Sequence, residues 1–280
     1  MQFKDKILDL STPKVMGILN VTPDSFSDGG AFNMFNNGLA HADLMLSEGA
    51  DIIDIGGEST RPGAKNVSVQ QELDRVIPMI ESIYQRFETI ISIDTSKAQV
   101  MIEAVNAGAS LINDVRALQE DGALNVAAKS GVPVCLMHMQ GQPRVMQHNP
   151  NYADVVQEVM MFLQHRISVC LEAGIDLAKI IIDPGFGFGK SLEHNYQMLA
   201  NLEQFHQLNV PILAGMSRKS MLGDLLQREM SQRLAGNIAV ATVAAQKGAQ
   251  IIRVHDVKET VDAVKVINMI NAYRNIKHER

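Results

Sequence analysis

The sequence has little of what marks secreted, membrane-spanning or nucleic-acid-binding proteins. Its 280 residues include two cysteines, Cys135 and Cys170, which form neither a CxxC pair nor a zinc-type cluster. We expect both to be buried free thiols of a cytoplasmic protein. Charges interrupt the apolar residues at the amino terminus, unlike in a signal peptide, and the small-apolar run Ile238–Ala245 is too short to cross a bilayer. The net charge of −6 argues against partners such as nucleic acid or an anionic membrane.

The glycine patterns of two nucleotide-binding folds are also missing. The stretch Gly189–Ser191 looks like the end of a phosphate-binding loop, but the first glycine of that motif would fall at Pro184. A dinucleotide fingerprint through Gly187 and Gly189 fails as well, because Leu192 stands where its third glycine belongs. Neither motif therefore predicts nucleotide binding.

The sequence does contain a repeated unit, in which a short apolar run is followed by a helical pattern. Eight such units fit the chain at about 35 residues each, the size of one strand with its helix. The runs are continuous and β-branched, as expected for parallel strands covered on both faces. We therefore predict an α/β fold, a single (β/α)8 barrel domain over residues 1–280, with a doubly wound open sheet as the alternative. The predicted strands are Val15–Val21, Asp51–Gly57, Ile90–Asp94, Ser110–Val115, Val132–Met139, the run ending at Asp183, Val210–Ala214 and Ile251–His255.

Helical periodicity follows each of these strands. The predicted helices are Gly38–Glu48, Val69–Arg86, Lys97–Ala107, Glu120–Ser130, Tyr152–Ala173, segments between His194 and Leu208, a run to Leu226, Arg233–Lys247 and Lys258–Tyr273. The last two helices form either a dimer surface or part of the barrel's outer layer. Before the first strand, Phe3–Leu10 is expected to form a lid or hairpin over the bottom of the fold.

Polar side chains stand near the ends of nearly all predicted strands. They are Asn20, Asp54, Asp94, Asn113, His138, Asp183, Lys219, Arg253 and His255. A single strand-end Asp is usually a helix cap, but many polar groups buried together cost several kcal/mol unless a ligand or water satisfies them. Because the active site of such a barrel lies at the carboxyl ends of its strands, we predict a ligand site there. For Asp54 two roles stay open, orienting a neighbouring loop and contacting substrate.

The site is expected to have two sides. Asp94, Asn113 and Asp183 form a nest of acceptors that suits a flat heterocycle bearing adjacent N–H and NH2 donors. The other side would be formed by three basic residues from the last two units, Lys219, Arg253 and His255. Barrels often bind phosphate at this position, and an Arg fork beside an imidazole matches phosphate oxygens.

Five motifs carry a resemblance to a known family. They are NVTPDSFSDGG (Asn20–Gly30), GGESTRPG (Gly56–Gly63), DPGFGFGK (Asp183–Lys190), GMSRKS (Gly215–Ser220) and IIRVHDV (Ile251–Val257). In order, and over essentially the whole chain, they resemble the bacterial dihydropteroate synthases. The resemblance implies a homodimeric (β/α)8 transferase of folate biosynthesis, a target of sulfonamides. It would condense (7,8-dihydropterin-6-yl)methyl diphosphate with 4-aminobenzoate, and we expect a dissociative substitution at the exocyclic methylene.

The resemblance also implies roles for single residues. Pterin contacts are expected from Asp94, Asn113, Asp183 and Lys219, with Met137 and Gly215 as further substrate contacts. The diphosphate would be held by Arg253 and His255, and by a Mg2+ ion whose protein ligand is Asn20. The aminobenzoate pocket would be lined by Thr60, Arg61, Pro62, Phe188 and Ser220. Catalytic roles are expected for Asp94, Asp183, Lys219, Arg253 and His255, under two closing loops, Thr22–Gly30 and Glu58–Lys65.

Two other functions remain open. A pterin-binding methyltransferase domain would pass a methyl group to a corrinoid partner, but the GMSRKS and TPDSFSDGG loops and the lack of a cobalamin module argue against it. A non-catalytic pterin-binding homologue would not need a diphosphate clamp, so the presence of Asn20, Arg253 and His255 argues against that alternative.

Overall fold

The computed structural model describes residues 1–22, 30–59, 67–141 and 150–274, except the side chains of residues 30–34 and 274. Its strands are β1 (Gln2–Phe3), β2 (Lys6–Ile7), β3 (Lys14–Asn20), β4 (Ile52–Gly56), β5 (Ile90–Asp94), β6 (Leu111–Asp114), β7 (Val134–Met137), β8 (Ile180–Asp183), β9 (Leu213–Ala214) and β10 (Ile251–Val254). Strands β3 to β10 form one parallel sheet in the order β8-β7-β6-β5-β4-β3-β10-β9. A parallel bridge between Ile182 and Ile212 joins its two edges. The predicted (β/α)8 barrel is confirmed.

Helices follow the barrel strands in the expected alternation. They are α1 (Gly30–Ser47), α2 (Val69–Arg86), α3 (Ala98–Ala107), α4 (Ala123–Ser130), α5 (Val155–Glu172), α6 (Leu192–Ala200), α7 (Ser220–Leu226), α8 (Leu234–Gln246) and α9 (Val257–Arg274). The predicted start of α1 at Gly38 is wrong, because the helix already begins at Gly30. Asn33, Asn36 and Asn37 are weak helix formers, which hid its first turns in the sequence.

Two strands are predicted to start too early, for the same physical reason. Strand β7 begins after Pro133, and β9 begins after Pro211. Proline has no N–H to donate to a sheet ladder. Its carbonyl can still accept, and Pro211 does so from the Ile182 N–H at 2.9 Å.

The bottom of the barrel is closed by the amino-terminal hairpin. Strands β1 and β2 pair antiparallel, and Phe3 is fully buried against the residues that begin the barrel strands, among them Met16, Leu213 and Ile251. The expected hairpin over the bottom is confirmed. With this end filled, the opposite end of the barrel is left for a ligand.

Both cysteines are free and buried, as predicted. Cys135 lies in the lower barrel cluster, and Cys170 lies in the larger core between the sheet and its helices. Among the helices described here, none is both long and apolar enough to cross a bilayer.

Candidate active site

The loop after β8 has a conformation that its glycines make possible. Gly185, Gly187 and Gly189 have φ values of 73°, 77° and 63°, a left-handed region that glycine adopts without steric cost. A Cβ atom at Gly185 would lie 1.8 Å from the His138 carbonyl oxygen. The Gly185 N–H donates to Asp183 Oδ1 at 2.7 Å, so this alternation of glycines fixes the carboxylate at the tip of the strand.

A buried lysine holds the same loop from below. Lys190 Nζ donates to the carbonyl oxygens of Gly185 at 2.8 Å and Phe188 at 3.1 Å, and it lies 2.9 Å from His138 Nδ1. Burial lowers the pKa of Lys190 well below its usual value, against the opposing charge of Asp183. Burial and the Lys190 charge lower the pKa of His138 to about 2, so His138 is neutral and accepts this hydrogen bond. Sequence reasoning missed Lys190, although a lone charge among glycines and apolar residues was a usable signal.

The acceptor nest lies at the carboxyl ends of three strands. Asp94 is level with Asn113 across β5 and β6, and Asp183 ends β8. Asn113 and Asp183 are each 4% exposed, so their polar groups meet little water. Burial raises the pKa of Asp183, while the nearby Lys219 charge opposes the shift.

Arg253, expected on the phosphate side of the site, also contacts the acceptor nest. Its Nε donates to Asp54 Oδ2 at 2.6 Å and its Nη2 donates to Asp94 Oδ2 at 2.7 Å. Burial works against the charge of Arg253, but the carboxylates of Asp54 and Asp94 raise its pKa above the usual value. Burial also raises the pKa of Asp94 to about 7, with Arg253 opposing the shift and Asp54 adding to it.

Asp54 lies beneath this pair and is fully buried. Besides the Arg253 contact it accepts from Asn113 Nδ2 at 3.3 Å. The contacts of Asp54 are to side chains, so they show neither the orientation of a neighbouring loop nor a substrate contact. Asp54 orients two side chains of the site.

Lys219 lies on the other side of the crevice. Its Nζ donates to the Phe186 carbonyl oxygen and stands 4.3 Å from the centroid of the Phe188 ring, a cation–π geometry. Burial lowers the pKa of Lys219 to about 8, with Asp183 opposing the shift. Lys219 therefore contacts the loop after β8, and its charge acts on Asp183 of the acceptor nest.

Two glycines leave room for a ligand between these groups. A Cβ at Gly215 would lie 3.6 Å from the Arg253 Cβ and 4.0 Å from Asp183 Oδ2. A Cβ at Gly56 would lie 3.5 Å from Asn20 Oδ1 and 3.9 Å from Asp94 Oδ2. Because glycine has no Cβ, the edge of a flat ligand can approach the carboxylates and the guanidinium closely at these two positions.

His255 is oriented by a serine that sequence reasoning did not single out. The His255 N–H donates to Ser217 Oγ at 3.2 Å, and the same oxygen lies 3.0 Å from His255 Nδ1. These two contacts hold the imidazole ring of His255 in one orientation beside the loop after β9.

An apolar surface completes the crevice. Val115, Met137 and Phe188 form a small buried cluster. Met137 and Phe188 were predicted site residues, and Val115 was not. A flat ring over the acceptor nest would have this cluster beside it.

The remaining predicted residues divide into two groups. Asn20 ends β3 beside the nest, and Ser220 is exposed at the start of α7. Thr60, Arg61 and Pro62 lie outside the described residues, as do most of the loops Thr22–Gly30 and Glu58–Lys65.

Glu58, the first residue of the second loop, belongs to a network of ion pairs. Glu58 Oε2 pairs with Lys97 Nζ at 2.6 Å, and Glu58 Oε1 accepts from the Val67 N–H at 3.0 Å. Lys97 also pairs with the buried carboxylate of Glu72. These contacts join Glu58 and Val67 to each other and Glu58 to the start of α3.

Together, the fold and this site define an enzyme class. The (β/α)8 barrel carries buried acceptors beside lysine, arginine and histidine side chains at the carboxyl ends of its strands, where barrel enzymes have their active sites. Residues 16–255 match the family described as pterin binding enzymes.

The most informative relatives share one activity. The dihydropteroate synthase of Escherichia coli (strain K12) is 58% identical over 273 residues, covering 97% of each chain. A Yersinia pestis dihydropteroate synthase solved with a sulfonamide drug has a TM-score of 0.94 at 58% identity, covering 97% of this chain and 99% of that chain. The Xanthomonas albilineans enzyme in complex with 7,8-dihydropteroate has a TM-score of 0.87 at 49% identity, covering 95% and 96%. The chain therefore belongs to the dihydropteroate synthases, transferases within the pterin-binding enzyme family.

Proposed function

We propose that the protein condenses (7,8-dihydropterin-6-yl)methyl diphosphate with 4-aminobenzoate, giving 7,8-dihydropteroate and diphosphate. The observation that carries this proposal is the position of Arg253, which donates to Asp94 of the acceptor nest and lies on β10 two residues before His255. One substrate with a donor-rich ring and an anionic tail would match both. The complexes of the Xanthomonas albilineans protein with dihydropteroate and with 4-aminobenzoic acid support the same substrates here.

The pterin ring is assigned to the acceptor nest. Asp94, Asn113 and Asp183 would accept from its N–H and NH2 groups, while Lys219 would donate to its acceptors. The apolar cluster with Met137 would pack on the face of the ring. Buried carboxylates need such partners, because an ionised group without them is costly.

The diphosphate is assigned to Arg253 and His255. Arg253 has two of its five N–H groups engaged with Asp54 and Asp94, and the others can reach phosphate oxygens. With its ring oriented by Ser217, His255 would donate to the same anion. Developing charge on the leaving group would then meet donors that are already oriented.

A Mg2+ ion fits this arrangement through Asn20. Within the described ranges, no group of three or more His, Cys, Asp or Glu side chains could hold a metal alone. Asn20 Oδ1 lies beside the gap over Gly56, and Mg2+ accepts one protein oxygen when phosphates and waters fill its other positions. When bound, Mg2+ would neutralise charge on the diphosphate.

We propose a dissociative order of bond changes. The bond between the methylene carbon and the diphosphate oxygen breaks first, and diphosphate takes the electron pair. The pterin ring delocalises the cation, and Asp94 and Asp183 stabilise it electrostatically. The neutral amine of 4-aminobenzoate, held by Phe188 and Ser220, then forms the new C–N bond and loses a proton to solvent. A sulfonamide would occupy the same pocket.

The first test measures diphosphate release from the pterin diphosphate with Mg2+, with and without 4-aminobenzoate. We expect release that depends on 4-aminobenzoate and on Mg2+, with dihydropteroate formed in equal amount. Pterin binding without release would instead support the methyltransferase or the non-catalytic homologue. Release that persists after metal chelation would contradict the role given to Mg2+.

We also propose a homodimer, formed in part through α9. One stripe of this helix exposes Val266, Met269, Ile270 and Tyr273, each more than half exposed. Such contiguous apolar surface is typical of an interface. Met269→Arg is expected to convert dimers to monomers in light scattering. Met161→Arg on α5 is the control, because Met161 is 59% exposed and Met269 is 61% exposed; equal masses for the two variants would contradict the proposed surface.

We further propose that the protein works in the cytoplasm. Cys135 and Cys170 are both buried without a disulfide, the state in which a reducing compartment keeps thiols. The proposed chemistry uses neither thiol.

A further inference from the structure

Asn237 on α8 uses both ends of its side-chain amide. Its Oδ1 accepts from the Arg218 N–H at 2.9 Å, and its Nδ2 donates to Asp256 Oδ2 at 2.6 Å. The residue is 3% exposed, so neither contact competes with much water. A buried amide with both ends satisfied fixes its two partners relative to each other.

The partner in the loop after β9 has an unusual backbone. Arg218 has a φ of 60°, a conformation that a residue with a side chain adopts at a cost and that its surroundings must hold. Besides Asn237, Arg233 Nη1 donates to the carbonyl oxygens of Arg218 at 3.2 Å and Lys219 at 3.3 Å. The Arg218 guanidinium pairs with Asp256 Oδ1 at 2.6 Å.

The partner residues stand next to both halves of the site. Arg218 lies between Ser217, which contacts His255, and Lys219, which contacts Phe186 and the ring of Phe188. Asp256 directly follows His255. Asn237 therefore bridges the loop after β9 and the loop after β10, in addition to the Ser217–His255 contacts and the Arg218–Asp256 ion pair.

We infer that Asn237 is a positioning residue that sets Lys219 and His255 relative to each other, so that one substrate can contact both. This inference rests on the roles proposed above for Lys219 and His255. Asn237 lies behind the loop and contacts neither the acceptor nest nor His255 itself. Asn237 would therefore affect the reaction only through the relative positions of Lys219 and His255.

The contact can be broken and rebuilt by exchanging its polarity. Asn237→Asp keeps the acceptor for Arg218 but sets a second carboxylate against Asp256. Adding Asp256→Asn restores a donor to that contact, since the new amide at 256 donates to the new carboxylate at 237 and still accepts from Arg218. The single and double variants thus differ in the contact between 237 and 256, and in the contact of 256 with Arg218, where an ion pair becomes a hydrogen bond to a neutral amide.

We expect Asn237→Asp to lower kcat/KM for the pterin diphosphate about 100-fold, the effect of a misplacement near 1 Å. Binding of inorganic diphosphate and of 6-hydroxymethylpterin, measured by calorimetry, should weaken together. The double variant should recover to within about threefold of the parent protein. All measurements are made well below the melting temperature of each variant, so that only folded protein contributes.

Three controls separate the possible failures. Asn201→Asp makes the same chemical change at the far end of α6 and should leave kinetics unchanged. Lys219→Ala and His255→Ala test the proposed roles directly; if neither weakens binding, those roles fail and this inference fails with them. If they weaken binding while Asn237→Asp does not, this inference alone is overturned. A loss that the double variant fails to recover would also overturn it, because general disruption would then explain the result.

Discussion

Replacing Arg253 with alanine is expected to destabilise the protein by about 3–5 kcal/mol, the cost of removing one partner from a buried ion pair. It should also lower kcat/KM for the pterin diphosphate by about 10²–10³-fold. The stability loss follows because Asp54 is fully buried and Asp94 is 13% exposed at the side chain, and both lose their guanidinium partner. The activity loss follows because Arg253 contacts Asp94 of the acceptor nest and is itself a proposed diphosphate ligand. Urea denaturation and steady-state kinetics measure the two effects.

A second substitution separates these two effects. Asp54→Asn in the Arg253→Ala background removes the buried charge, so we expect it to recover part of the stability and none of the activity. Arg116→Ala is the control, because its ion pair with Glu120 is exposed and such pairs contribute about 0–1 kcal/mol. Full activity in Arg253→Ala would contradict the role of Arg253 at the diphosphate.

The barrel and its crevice could be predicted because each depends on local pattern. Apolar runs of strand length ended in polar residues, and parallel strands bring those ends to one edge. The contact between Arg253 and Asp54 could not be predicted in this way. The two residues are 199 positions apart, and Asp54 lies below the end of its strand, so their meeting depends on strand register and barrel closure.

The supporting residues were missed for a related reason. Lys190 and Asn237 each hold carbonyl, carboxylate or backbone N–H groups of loops, and such partners leave no periodic signal in a sequence. Ser217 belongs to the GMSRKS motif, but its role in orienting His255 depends on the 3.0 Å distance between Ser217 Oγ and His255 Nδ1. A sequence motif indicates that a loop is functional, and the structure shows which of its atoms make the contacts.

Replacing Asp94 with asparagine is expected to lower kcat by about 10²–10³-fold while changing the affinity for inorganic diphosphate little. An amide at this position keeps the shape of the side chain and still accepts from Arg253 Nη2. What it loses is the negative charge that we propose stabilises the pterin cation after diphosphate leaves. Single-turnover kinetics and calorimetry separate the two quantities, and unchanged turnover would refute the role given to Asp94.

The pH dependence of kcat/KM gives a second test of the same carboxylate. Burial raises the pKa of Asp94 to about 7, with Arg253 opposing this shift and Asp54, Asp114 and Glu72 adding to it. The free enzyme needs the ionised form, so kcat/KM should fall as the pH is lowered through about 7. The substrate diphosphate can titrate in this range too, but it does so equally in the parent protein and in Asp94→Asn. The part of the acid limb that disappears in the variant therefore belongs to Asp94, and an identical limb in both proteins would contradict the assignment.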